Sequence, residues 1–60
     1  MDIRSAVFEA LDNAAKNGFD MKEYENGVII QDLLDCDADL EDLPFDALLP
    51  HVRAWKKAHA

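Results

Sequence analysis

The chain has 60 residues, half of them apolar and about a third charged, and a formal net charge of −7. That length allows one domain, which buries only about 60% of the surface its unfolded form exposes and so leaves little room for an internal active site. The charge disfavours nucleic acid and anionic membrane as direct partners, since phosphates would be repelled, and the single cysteine, Cys36, excludes an internal disulfide.

Asp2 stands where a helix needs an N-cap, and Ile3, Val7, Ala10 and Ala14 then recur on one side of a helix, widened by Phe8, Leu11 and Ala15. Asn17 and Gly18 supply the stop: glycine takes the left-handed conformation just past the last turn, and Lys16 complements the carbonyl end of the dipole. The pattern predicts a helix over 3–17. Asp20 and Glu23 then stand at capping-box spacing, with Phe19 and Tyr24 at the positions of a hydrophobic staple, so a second helical segment begins near Met21. Asn26 and Gly27 interrupt it after about a turn and a half, leaving a capped turn over 20–26. The same dipeptide favours a two-residue hairpin, which keeps open an α+β alternative with short strands across 21–30. The helical reading is preferred because an isolated hairpin is marginal in water.

From Ile29 onward the apolar residues Ile29, Leu33, Cys36, Leu40 and Leu43 step alternately by four and three, as one stripe of a helix. Asp32, Asp35, Asp39 and Asp42 form a second stripe beside it, and Pro44 ends this predicted helix, 28–42. Residues 45–49 read as one short turn. Pro50 cannot lie deep in a helix without losing a hydrogen bond, so it is placed at the start of a last helix, 50–59, with Leu49, Val52 and Trp55 facing inward. The expected fold is all-α: a single domain, 1–60, built as a small three-helix array with extra short turns.

The charge is unevenly spread, at −3 over residues 1–27, −7 over 28–46 and +3 over 47–60. No stretch reaches the length of a membrane span, and the first residues lack the apolar run of a signal peptide, so the expected setting is a reducing cytoplasm. Asp35, Asp37, Asp39 and Asp46 match positions 1, 3, 5 and 12 of a calcium loop. Leu40, however, stands where the loop needs Gly, and Asp46 stands where it needs a bidentate Glu, so no metal is expected. The thiolate of Cys36 is disfavoured by Asp35 and Asp37, and its place on the apolar stripe makes it a small core residue. His51 and His59 lie roughly 12 Å apart along a helix, too far to share a metal, and read as surface residues. Neither a catalytic nucleophile nor a cofactor is expected, and the chain does not read as an enzyme.

The acidic stripe carries the functional expectation. Carboxylates at i, i+3 and i+4 lie about 5–6 Å apart, a spacing able to imitate the charge rows of a nucleic-acid backbone in a basic protein groove. Asp32, Asp35, Asp39 and Asp42 are therefore the candidate binding residues. Trp55 joins them as an interface anchor, although its first reading is core. The partner expected is a basic protein surface, such as that of a nucleic-acid-binding protein, with the chain itself a monomer or weak homodimer. The alternative is an assembly protein that self-associates through exposed apolar residues, chiefly Trp55 and Phe45.

The run Asp35-Cys36-Asp37-Ala38-Asp39-Leu40-Glu41-Asp42 and the later Leu48-Leu49-Pro50-His51-Val52-Arg53-Ala54-Trp55 resemble small helical proteins encoded by tailed bacteriophages and prophages. The resemblance covers roughly the C-terminal half. It implies a mobile-element origin and an inhibitor acting on a host protein, and it assigns no residue a role.

Overall fold

The first helix, α1 (Ile3–Lys16), is fixed at both ends by the residues predicted to do so. The Asp2 carboxylate accepts from the Ser5 amide at 3.3 Å and from the Ser5 hydroxyl at 2.8 Å, which satisfies one of the free N–H groups of the first turn. At the other end the Phe19 amide donates to the Ala14 carbonyl and the Gly18 amide to the Ala15 carbonyl, with Gly18 at φ +94°. That pair of bonds is a Schellman closure, and it reverses the chain at once.

The computed structural model describes residues 2–60. Among them the order is α1, a single 3-10 turn (Met21–Glu23), α2 (Asn26–Cys36) and α3 (Phe45–Ala58), without a strand. The fold is the expected all-α three-helix array, and the hairpin alternative across 21–30 is not formed. The segment near Met21 winds for one tight turn, and the Asp20 side chain makes no cap hydrogen bond there. Asn26 and Gly27 open α2 rather than preceding it, and the Phe45 ring lies 3.9 Å from where a Cβ of Gly27 would stand.

Two helix boundaries differ from the sequence expectation. The helix predicted over 28–42 stops at Cys36, and Asp37 is extended at φ −109° and ψ 111°. Its last turn has no basic residue, so further carboxylates would crowd the negative end of the dipole. The Asp37 side chain instead accepts from the Asp39 amide at 3.0 Å, a local turn that competes with helix. Two successive turns follow, with the Leu40 amide on the Asp37 carbonyl and the Leu43 amide on the Leu40 carbonyl. The second difference is at α3, which begins five residues before Pro50 and runs through it. Pro50 lacks the N–H that would reach the Asp46 carbonyl, but Asp46 is exposed and water can serve it instead.

The core is Val7 and Leu11 of α1, Met21, Ile29, Ile30 and Leu33 of α2, Leu40, and Leu48, Val52 and Trp55 of α3. Leu40 keeps its predicted burial although it lies in a turn, whereas Cys36, predicted as core, is exposed. Leu48 rather than Leu49 is the fully buried leucine of α3. Trp55 is 1% exposed, so the core reading of that residue holds and its use as an interface anchor does not. Both α1 and α2 make their main contacts with α3 rather than with each other. Recesses lined by both α1 and α2 open to solvent between them.

Candidate protein-binding groove

The opening between α1 and α2 is a chain of three adjoining recesses that share Ala10 and Asn13 as common wall. The first, of about 340 Å³, lies at the start of α1 and is lined by Asp2, Ser5, Glu9, Asp37 and Asp39. The second, of about 330 Å³, is bounded by Asp32, Leu33, Cys36 and Asp37. The third, of about 650 Å³, lies at the far end of α1 and is lined by Phe19, Met21, Tyr24, Val28 and Ile29, with Asp32 and Cys36 at its rim.

The three recesses form one groove along α1 with an acidic end and an apolar end. Asp2, Glu9, Asp32, Asp37 and Asp39 line it, and no Lys or Arg among the described residues does. At the apolar end Phe19 is 56% exposed, Tyr24 44% and Val28 55%, which are large values for side chains of this size standing together. The wall on α1 is low because Ala6, Ala10 and Ala14 repeat at every turn along it.

Asp2 belongs to the groove and to the helix cap at once. The Ser5 hydroxyl donates to its carboxylate and holds its pKa below the ordinary carboxylate value, against the opposing effect of desolvation and with help from the Ser5 and Arg4 amides and from His51. At neutral pH this group is a fixed negative charge at the mouth of the acidic end.

The four predicted aspartates do not share one face. Asp32 and Asp39 line the groove, the first from α2 and the second from the turn after it. Asp35 lies outside it on the exposed side of α2, where it accepts from the Gln31 amide nitrogen at 3.1 Å. Asp42 is exposed in the turn leading to α3. The single stripe expected over 28–42 is broken because the helix that would have aligned it ends at Cys36. Sequence reasoning missed Asp2, Glu9 and Asp37 as partners of Asp32, since they are brought together by the packing of two distant elements. It also assigned Phe19 and Tyr24 to a staple, where their exposure marks them as open surface.

A second polar cluster ties the end of α3 to α1. The Trp55 indole N–H donates to Asp12 at 2.9 Å, His59 Nε2 stands 3.5 Å from the same carboxylate oxygen, and His59 Nδ1 lies 2.9 Å from the Trp55 carbonyl. The His59 ring stacks on the indole at 4.2 Å between centroids. His59 touches both Trp55 and its acceptor Asp12, so the cluster is a clasp between α1 and the last turn of α3. Among the described residues no group of three or more His, Cys, Asp or Glu converges as a metal site, and no helix is long and apolar enough to cross a membrane.

Comparison of the chain with family models, with curated proteins and with solved structures gave no match, so the groove is read from its own geometry.

Proposed function

We propose that this chain is a small protein-binding module, not an enzyme, that receives a cationic surface of another protein in the groove beside α1. The observation that carries the reading is the lining: five carboxylates, no Lys or Arg among the described residues, and an apolar patch at one end. Opposite charge across an interface steers encounter and rejects wrong partners, and a neighbouring apolar patch lengthens the lifetime of the complex. A host nucleic-acid-binding protein fits this chemistry, because its basic surface is shaped for phosphate rows, and occupying that surface would inhibit it.

The test is capture of a basic nucleic-acid-binding protein from bacterial extract, followed by titration of the purified pair at low and high salt. The triple variant Asp32→Asn, Asp37→Asn, Asp39→Asn keeps the shape of the groove, and Asn at 37 can still cap the local turn. Affinity that falls with salt and falls again in the variant supports the reading. An unchanged affinity in the folded variant overturns it.

The exposed Phe19, Tyr24, Val28 and Phe45 favour a second reading, self-association through an apolar face. Trp55 drops out of that reading because it is buried. Apolar association holds or strengthens in high salt where electrostatic docking weakens, so light scattering at two salt concentrations separates the two.

A further inference from the structure

The chemistry of the groove also limits the shape of what enters it. Its long walls are the sides of α1 and α2, whose backbone N–H and C=O groups are already bonded within their own helices, with the Asp37–Asp39 turn closing the acidic end and the Met21 turn the apolar end. An extended peptide lying there would bring unpaired backbone groups to an apolar floor, with no sheet edge to receive them, and each would lose its water without compensation. A helix brings its backbone already satisfied, which is the condition for lying in a groove of this kind.

Length and charge narrow the occupant further. From Asp2 to Asn17 the groove follows α1 for about 22 Å at the helical rise of 1.5 Å per residue, room for about four turns of a second helix. The short side chains of Ala6, Ala10 and Ala14 let another helix approach α1 closely. Carboxylates gather at the Asp2 end and large exposed apolar side chains at the Phe19 end, so the fitting helix carries cations toward one end and bulky apolar residues toward the other.

A second copy of this chain does not meet that description. Two copies would bring net charges of −7 together. The cationic stretch of the chain, Arg53, Lys56 and Lys57, lies on α3, whose apolar residues Leu48, Val52 and Trp55 are already spent in the core. Among the described residues no helix presents cations and a free apolar stripe together.

Resting on the reading that the groove takes a cationic protein surface, we infer that its occupant is an amphipathic cationic helix of another protein. That helix lies along α1, with its apolar anchors between Phe19, Tyr24 and Val28 and its Lys or Arg side chains over Asp2, Glu9, Asp32, Asp37 and Asp39.

The test uses the full chain and two fluorescently labelled synthetic peptides of the same composition, followed by anisotropy. One peptide places Lys and Leu in an amphipathic helical pattern about four turns long, and the other scrambles the same residues so that the charge stays and the stripe is lost. The amphipathic peptide should bind at least about tenfold more tightly than the scrambled one. Val28→Lys, at a site 55% exposed, should weaken the amphipathic peptide by about tenfold or more while leaving the fold intact. Asp42→Asn, outside the groove, should change binding little. Equal binding of the two peptides would overturn the helix while leaving the cationic-surface reading standing. Binding of neither peptide would overturn both, and a peptide-independent dimer blocked by Val28→Lys would replace the helix with a second copy.

Discussion

The indole N–H of Trp55 and the carboxylate of Asp12, 43 residues apart in sequence, meet at 2.9 Å and fasten the end of α3 to the middle of α1. Trp55 is the largest buried side chain, and its one polar atom is satisfied at the rim of the core. Asp12→Ala removes the acceptor and leaves that N–H bare. Because the Asp12 side chain is 48% exposed, water can partly replace it, and the cost should fall near the lower end of the usual range, about 1 kcal/mol. Asp12→Asn keeps an acceptor and should cost less. Denaturant unfolding followed by the fluorescence of the single tryptophan measures both.

The position of Cys36 separates a continuous heptad helix from the observed one. Leu33 is buried and Leu33→Ala should destabilise the chain by about 2–5 kcal/mol, enough to unfold much of a domain of this size. Cys36 is exposed, so Cys36→Ala should fall within about 0.5 kcal/mol of the parent. A thiol reagent should label Cys36 in the native protein without unfolding. Labelling that requires unfolding would place Cys36 back in the core.

The ends of α1 were legible in the sequence because each depends on a few adjacent residues: Asp2 with Ser5, and Asn17 with Gly18. The end of α2 was not. A four-and-three spacing of apolar residues fits a helix to Leu43, and Leu40 is buried as that spacing requires, but it reaches the core from a turn. The deciding terms, the Asp37 turn and the missing cation at the helix end, are local electrostatics that periodicity does not see. Pro50 misled in the opposite sense, since a proline near the start of a helix loses only one bond and the residues before it bring Leu48 into the core. The groove itself was illegible because it arises from α1 and α2 both packing on α3.

The cap at Asp2 predicts a pH dependence with a definite sign. Its carboxyl is held below the ordinary value by the Ser5 hydroxyl, so the ionised form is favoured by folding. The stability this gives is present above the ordinary carboxylate range and is lost as pH falls through the lowered value. Ser5→Ala should move the Asp2 titration back up toward the ordinary value, read by carboxyl carbon NMR. In the parent, acid should fray the first turn of α1 before the rest of the helix.

Gly18 isolates a conformational cost from a steric one. It sits at φ +94°, and a Cβ added there would meet nothing within 4 Å. Gly18→Ala should therefore destabilise by about 1–2 kcal/mol through backbone strain alone. Gly18→Asn should recover part of that loss, because Asn tolerates the left-handed region better. Thermal melts of the two variants make the comparison.

The central claim is that the space between α1 and α2 is an open binding groove and not a face closed by the chain itself. Its most direct measurement is the amide chemical-shift map of the isotope-labelled protein during titration with a cationic amphipathic peptide. Shifts should concentrate at Phe19, Tyr24, Val28, Asp32 and Asp37 and weaken as salt is raised, with Arg53 and Lys57 still. Shifts centred on α3, or spread evenly over the carboxylates with none at Phe19, Tyr24 and Val28, would contradict it.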